Sequence, residues 1–449
     1  MTVDEPSAPG LLREAATEWP IPALDVDAER RYGWRPLPLR EVVVKLVGPC
    51  NLACDYCYVY VGADRSWQHR PAMASERVLQ RTAHRIGEHA QRYGLERVRV
   101  VLHGGEPLLA GPEHLRRAVA TLREGAAPAV RLDVTVQTNG IPLDATMLDV
   151  LAGQGVMVGV SIDGGRAQND RHRVHRDGTG SYDDVRRGLD LLTGPRFRSL
   201  FSGLLCTVDP GHDPIAVYEE LAQYSPPTID FLLPHRTWAS SGPAPPGSEP
   251  TAGGHGAWLT TVFDRWFTTS RGETRVRLFD DVLRLLLGGT ARSDQVGLSP
   301  AAFVVVDTDG TLQQVDALKV VAPGAPETGL NVFDHALDDV CVHPAIVARQ
   351  IGLRALGATC RSCRLVRVCG GGHYTHRYRP GSGFRHPSAY CADLQVLIDH
   401  VADRLVATGQ NAGRDAGQVP GHVGGTSTSD SPRSPPSTAT RSGFSAPNA

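Results

Sequence analysis

The spacing of apolar positions changes along this chain, and the changes divide it into segments. Residues 1–40 are Pro-rich and weakly patterned, which predicts an extended N-terminal arm. Residues 42–47 form an apolar run, as expected for a strand buried on both faces. A helical period follows, with Ser75 as its N-cap, Val78, Leu79 and Ile86 on one face, and Gly94 beyond its end. Strand signals then recur at 98–103, 132–137, 156–162, 200–208 and 229–233, with helical segments between them. One of these opens on Ser181-Tyr-Asp-Asp184, a capping-box spacing. Six such units predict an α/β fold: a partial (β/α)6 parallel barrel over residues 41–235. Functional residues then belong at the carboxyl ends of the strands.

The pattern changes at residue 240, where SSGPAPPGSEPTAGGHG reads as a flexible loop. Two helical patterns follow, at 257–268 and 279–287, so residues 236–300 read as a linker and bridging helices. Strand signals at 304–306 and 311–315 flank Asp309-Gly310 and predict a hairpin. It opens a C-terminal α+β domain over 301–408, whose cysteine-rich part ends in one more helix. Residues 409–449 hold few large apolar side chains and are expected to be a disordered tail.

Composition narrows the function classes. With 41% hydrophobic and 21% charged residues the 449-residue chain can bury a globular core. A formal charge of −2 offers no basic surplus for nucleic acid. No signal-peptide core or membrane span is present, so a cytoplasmic protein is expected. Lys45 and Lys319 are the only lysines in an arginine-rich chain, and no chemistry is attached to that bias. In a reducing compartment, nine cysteines in two main clusters argue for metal or redox chemistry.

Cys50, Cys54 and Cys57 follow directly on the first strand. Three thiolates on one short loop can hold three irons of a four-iron cluster and leave the fourth open to a small ligand. A three-cysteine zinc site completed by a remote histidine is the alternative. Further motifs end the next strands: His103-Gly104-Gly105-Glu106-Pro107, Gln137-Thr138-Asn139-Gly140 and Ser161-Ile162-Asp163-Gly164. Taken alone, Asn139-Gly140 and Asp163-Gly164 are also turn chemistry. The cysteine spacing, with Tyr56 before the last thiol, and the motifs at successive strand ends resemble the radical S-adenosylmethionine superfamily. The resemblance implies one 4Fe-4S cluster on Cys50, Cys54 and Cys57, whose open iron chelates the methionine part of S-adenosylmethionine. It places Gly104, Gly105 and Glu106 at the methionine amino group, Ser161 at the ribose, and Arg173 at the carboxylate or ribose. Tyr56, Asn139 and Asp163 are carried over as cofactor-binding positions. It also implies reductive cleavage of the sulfonium to a deoxyadenosyl radical that abstracts a substrate hydrogen, fed by an electron donor such as flavodoxin or ferredoxin.

Cys360, Cys363, Cys369 and Cys391 supply four thiolates, enough to close either a zinc site or a fully ligated cluster. Behind such a barrel the spacing resembles the SPASM domain, which implies an auxiliary 4Fe-4S cluster. The cysteines of a second auxiliary cluster are missing: the hairpin ends in Val315-Asp316, and His373 stands four residues after Cys369. Two 4Fe-4S clusters in total are therefore expected. In SPASM sulfatase maturases an aspartate at this hairpin position is the general base, and Asp316 matches it. The same residue also reads as a carboxylate capping backbone at the hairpin end. Cys206 and Cys341 read as buried free thiols, in a strand and before a helix, and His373, His376 and His386 as surface or supporting groups.

Phe231-Leu-Leu-Pro-His235, Gln314-Val-Asp-Ala-Leu-Lys319, Cys369-Gly-Gly-Gly-His-Tyr374 and His376-Arg-Tyr378 further resemble the FxsB-type maturases. Those enzymes accompany short precursor peptides ending in FxSxx-COOH. The resemblance implies a short precursor peptide as substrate and a cyclophane product, in which an aromatic ring carbon is joined to a nearby side-chain β-carbon. Other peptide chemistry of this class (thioether formation, decarboxylation, oxidation of serine or cysteine) uses the same motifs. A zinc-binding scaffold is the non-enzymatic alternative. Forty residues ahead of the barrel are too few for the usual leader-binding domain, so leader recognition is expected from the bridge, the SPASM-like region or a partner.

Overall fold

The computed structural model describes residues 18–21, 23–239, 254–269 and 272–416, with side chains to residue 408. The expectations for residues 1–17, most of the 240–256 loop and the tail beyond 416 lie outside these. Ten strands form one sheet: β1 (Glu41–Val47), β2 (Arg97–Gly104), β3 (Arg131–Thr138), β4 (Met157–Ser161), β5 (Phe201–Thr207), β6 (Thr228–Leu232), β7 (Arg275–Val276), β8 (Phe303–Val306), β9 (Thr311–Gln313) and β10 (Glu327–Asn331). Their order is β10-β9-β8-β1-β2-β3-β4-β5-β6-β7, so the sheet does not close on itself. Strands β1 to β7 are parallel, joined through helices that pack on one face.

The six predicted barrel strands fall where the pattern put them, because each carries at least one face of buried apolar side chains. Helix Glu76–Tyr93 starts at Ser75, whose hydroxyl accepts from Val78 N, and ends at Gly94 with φ +62°. The capping box at Ser181 does not form. Ser181 Oγ donates instead to the carbonyl of Arg173 at 2.6 Å, and Asp170 accepts from Tyr182 N at 2.8 Å. The serine thus ties the segment carrying Arg173 to the following helix.

The β8–β9 hairpin turns over residues 307–310, with Gly310 at φ +87°. Strand β8 pairs with β1 in parallel, so the hairpin shares the barrel's sheet. Register explains the interior. Val43 pairs with Val101 on one side and Val305 on the other, and these three form a small inner cluster apart from the main core. Two residues on, the alternation of the strands brings Lys45 abreast of His103. Asp307 follows Val306, the partner of Val44, and so joins the same rung. A charged, titratable rung therefore stands between an apolar floor and the loops at the carboxyl ends. Helices His255–Thr269 and Arg277–Leu286, and the long helix Cys391–Ala416, complete the described chain on the far side. Cys206 is buried in β5; Cys341 is buried as the last residue of helix Leu337–Cys341, just ahead of the short helix Pro344–Val347.

Candidate active site

One cavity gathers the strand-end motifs. Cys50, Cys54, Tyr56, Cys57, Gly104, Gly105, Glu106, Asn139, Ser161, Asp163 and Arg173 all line it, although they come from five separate stretches of chain. Close backbone contact brings the first two strands together there. Gly105 N donates to the carbonyl of Val47 at 2.8 Å, and Glu106 N to that of Pro49 at 3.0 Å. A Cβ on Gly105 would lie 2.3 Å from Pro49 O and 2.5 Å from Gly48 O, and one on Gly104 (φ +142°) 2.0 Å from Val47 O. Only glycine allows this approach at either position. The thiol loop is fixed further by Arg176, which donates to Cys50 O, and by Asn139 Nδ2, which donates to Asn51 Oδ1 at 2.7 Å.

Burial disfavours the anionic form of the groups that line the site. Burial pushes the Cys50 thiol up to about 11 and Cys54 up to about 12, so bare thiols hold their protons until a metal displaces them. Glu106 is fully buried and raised by burial to about 7, although Asn139 N (2.7 Å), Leu108 N (3.0 Å) and Thr138 Oγ1 (2.7 Å) all donate to it. Arg173 donates to Tyr56 Oη at 3.0 Å, and Tyr56 donates to Asp163. Buried Nε of Arg173 and Oε1 of Gln137 have no hydrogen-bond partner. Unpaired polar atoms, a glycine cradle and three convergent thiols fit a polar cofactor over a metal cluster.

Asp316 is not among the cavity's lining residues. It is buried at the start of the short helical turn Asp316–Val320, 2.6 Å from Lys45 Nζ, and its side chain caps no backbone group of that turn. Lys45 also meets Asp307 at 3.0 Å. Burial opposes the lysine's charge, but the two carboxylates outweigh it and hold its proton more tightly than usual. His103, from the same rung, does line the cavity, and burial makes its ring harder to protonate.

A second hollow is lined by Cys360, Cys363, Cys369 and Cys391 together. Burial raises Cys360, and Cys369 to about 12. Cys391 begins the long helix, so the hollow staples that helix to the cysteine-rich turns. Between the two sites, His373 and His376 are 4% and 3% exposed and face His235. Of the two expectations for them, surface or supporting groups, the surface one is corrected for His373 and His376: the turn after Cys369 folds inward against the chain following β6. His386 packs against Trp238. The sequence offered no periodic signal for the His235 cluster or for the Lys45 rung, since both depend on contacts between distant segments.

A three-thiol loop after the first strand of a parallel α/β sheet, with a glycine-cradled glutamate at the end of the second, is an arrangement similar to that of radical S-adenosylmethionine enzymes. Residues 44–215 match the family model of the Radical SAM superfamily. The serine-type anaerobic sulfatase-maturating enzyme of Klebsiella aerogenes is 25% identical over 352 residues, covering 77% of this chain and 82% of that protein. The cysteine-type enzyme of Clostridium perfringens strain 13 is 20% identical, covering 83% and 99%. Among solved structures, native anSMEcpe with bound AdoMet and peptide matches with a TM-score of 0.69 at 21% identity, covering 84% of this chain and all of that one. Streptococcus suis SuiB bound to its precursor peptide matches at 0.52 and 13%, covering 81% and 78%. The fold is that of these structures. No helix among the described residues is long and apolar enough to cross a membrane.

Proposed function

We propose that this enzyme modifies a ribosomally made precursor peptide by joining an aromatic ring carbon to a neighbouring side-chain β-carbon. The observation that carries a peptide substrate is the cavity itself. Beyond its polar cofactor end it is walled by Tyr58, Leu205, Leu232, Leu233 and Pro234, apolar surface suited to an aromatic side chain. Relatives named for sulfatase maturation, and a structural neighbour holding a precursor peptide, support the same substrate class.

In this reading Cys50, Cys54 and Cys57 hold the radical cluster, and Cys360, Cys363, Cys369 and Cys391 an auxiliary one, two clusters in all. When bound, cluster and S-adenosylmethionine supply a carbon radical able to take a β-hydrogen. Glu106, with its oxygens already oriented by Asn139 N, Leu108 N and Thr138, accepts N–H bonds from the cofactor's amino group. Ser161 and Asp163 hold the ribose side, and Arg173, braced by Tyr56, the carboxylate. The hydrophobic wall excludes water from the reacting carbon. Asp316, paired with Lys45, is assigned the ring proton that must leave after attack, and the electron left on the ring would pass to the auxiliary cluster. A flavodoxin or ferredoxin is the proposed electron donor, and the cytoplasm the proposed compartment.

Incubation of the reconstituted enzyme with a peptide ending in FxSxx-COOH tests this. The expected product has lost two hydrogens, is inert to hydrazides, and shows a fragment-free span in tandem mass spectra between the joined residues. The maturase relatives favour a second reading, oxidation of serine or cysteine to an aldehyde. A hydrazide-reactive product would select it.

A further inference from the structure

Outside both cysteine sites the described residues hold two more convergences of metal-ligating side chains: the half-buried His172, Asp209 and His212, whose rings and carboxylate already pair with one another, and a more buried set of three histidines. His235 follows β6; His373 and His376 lie on the turn after Cys369. One ligand nitrogen from each lies within 4.8 Å of the other two. Nε2 of His376 is 3.3 Å from Nδ1 of His235, and the three ring centroids are 5.0–5.4 Å apart. A chain of hydrogen-bonded neutral imidazoles accounts for the His235–His376 contact but not for His373. Both of its ring nitrogens are buried without a hydrogen-bond partner. Stranding a polar group in this way costs about 1–3 kcal/mol each, and the one facing carboxylate, Asp294, stands too far from Nε2 for a hydrogen bond, at 3.6 Å.

We propose that His235, His373 and His376 bind one divalent first-row transition-metal ion, with zinc as the representative. Three imidazoles are a donor set that suits zinc and leaves a fourth position open. Asp294 Oδ2 stands 3.6 Å from Nε2 of His373, and a carboxylate there orients a ligating ring and offsets part of the ion's charge. Arg349 pairs with the same carboxylate at 3.0 Å, and Arg236 and Arg377 stand nearby. These cationic surroundings select an anionic oxygen as the fourth ligand: hydroxide, or a carboxylate of a bound substrate. His235 lines the cofactor cavity as well as the hollow it shares with His373 and His376, so a substrate carboxylate has a route to the ion. The site is thus an anchor for one end of the substrate, separate from both clusters.

The test uses the full chain with its clusters already reconstituted, so that the cysteines are occupied. It is incubated with zinc sulfate and desalted, and zinc and iron are counted per chain. One retained zinc is expected in the wild type, and close to none in His376→Ala and His235→Gln, with iron unchanged in each. The half-buried His235 position makes its glutamine variant the safer one for folding. Zinc-edge X-ray absorption should show a nitrogen and oxygen shell at about 2.0–2.1 Å and no sulfur at about 2.3 Å. Failure of the wild type to retain zinc overturns the proposal. So does a sulfur shell, or retention by the variants equal to that of the wild type.

Discussion

Replacing Asp316 by Asn and Lys45 by Met separates a catalytic aspartate from a structural one. At an effective dielectric of about 20, Lys45 gains about 6 kcal/mol from Asp316 at 2.6 Å and about 5.5 from Asp307 at 3.0 Å. Desolvation of each buried ion opposes this by several kcal/mol. In Asp316→Asn the lysine keeps Asp307 and the amide stays polar, so the net loss should be about 1–3 kcal/mol. In Lys45→Met, Asp307 still has Arg70 Nε at 3.4 Å, but Asp316 is left as a buried charge, which costs about 3–5 kcal/mol. Thermal unfolding of the reconstituted proteins should therefore rank Lys45→Met below Asp316→Asn, itself a few degrees below wild type. Product assays add the catalytic half. If Asp316 removes the ring proton, Asp316→Asn still makes 5′-deoxyadenosine while crosslinked peptide falls by at least 100-fold, in the range of general-base removal of about 10²–10⁴. Wild-type crosslinking by Asp316→Asn would refute the assignment and leave the network a structural one. A stability ranking in the opposite order would refute the electrostatic reasoning.

Three further outcomes follow from the same geometry. Gly104→Ala puts a methyl group against Val47 O at a φ of +142°, so it should cost at least about 3 kcal/mol and lower both the melting temperature and bound iron; wild-type values for both would contradict the cradle. Counting iron in Cys50/Cys54/Cys57→Ala against wild type should give about four against about eight per chain; about twelve in the wild type would require a third cluster. Glu106, raised by burial from 4.5 to about 7, binds its proton more tightly folded than unfolded, so its contribution of about 3 kcal/mol is present below about pH 4.5 and lost as pH rises through about 7. Urea unfolding from pH 5 to 8 should show this decline flattened in Glu106→Gln.

The barrel was readable because its strands each bury a run or face of apolar side chains and its helices carry ordinary start and stop signals, from Ser75 to Gly94. The cysteines and strand-end motifs were readable because loop chemistry after each strand is local in sequence. What could not be read was lateral. That Asp307, Lys45 and His103 share a rung depends on registers between β8, β1 and β2, whose residues lie up to 262 positions apart. The same holds for His235 and His376, 141 positions apart. Ser181 misled because its hydroxyl is engaged elsewhere: it donates to the carbonyl of Arg173 and accepts from Asn169 Nδ2 instead of a helix N–H. One signal was present and passed over. Lys45 and Lys319 are the only lysines, and both are buried in ion pairs, with Asp316 and Asp307 in one case and Asp64 in the other. Where arginine is the default cation, a lysine inside a strand marks a space too narrow for a guanidinium. The ammonium's point charge fits between the two carboxylates of a parallel rung, where a planar fork would have to displace one of them. Lysine retained against such a composition is thus a sequence-level pointer to buried charge, and here the pointer leads to the rung whose His103 lines the cavity.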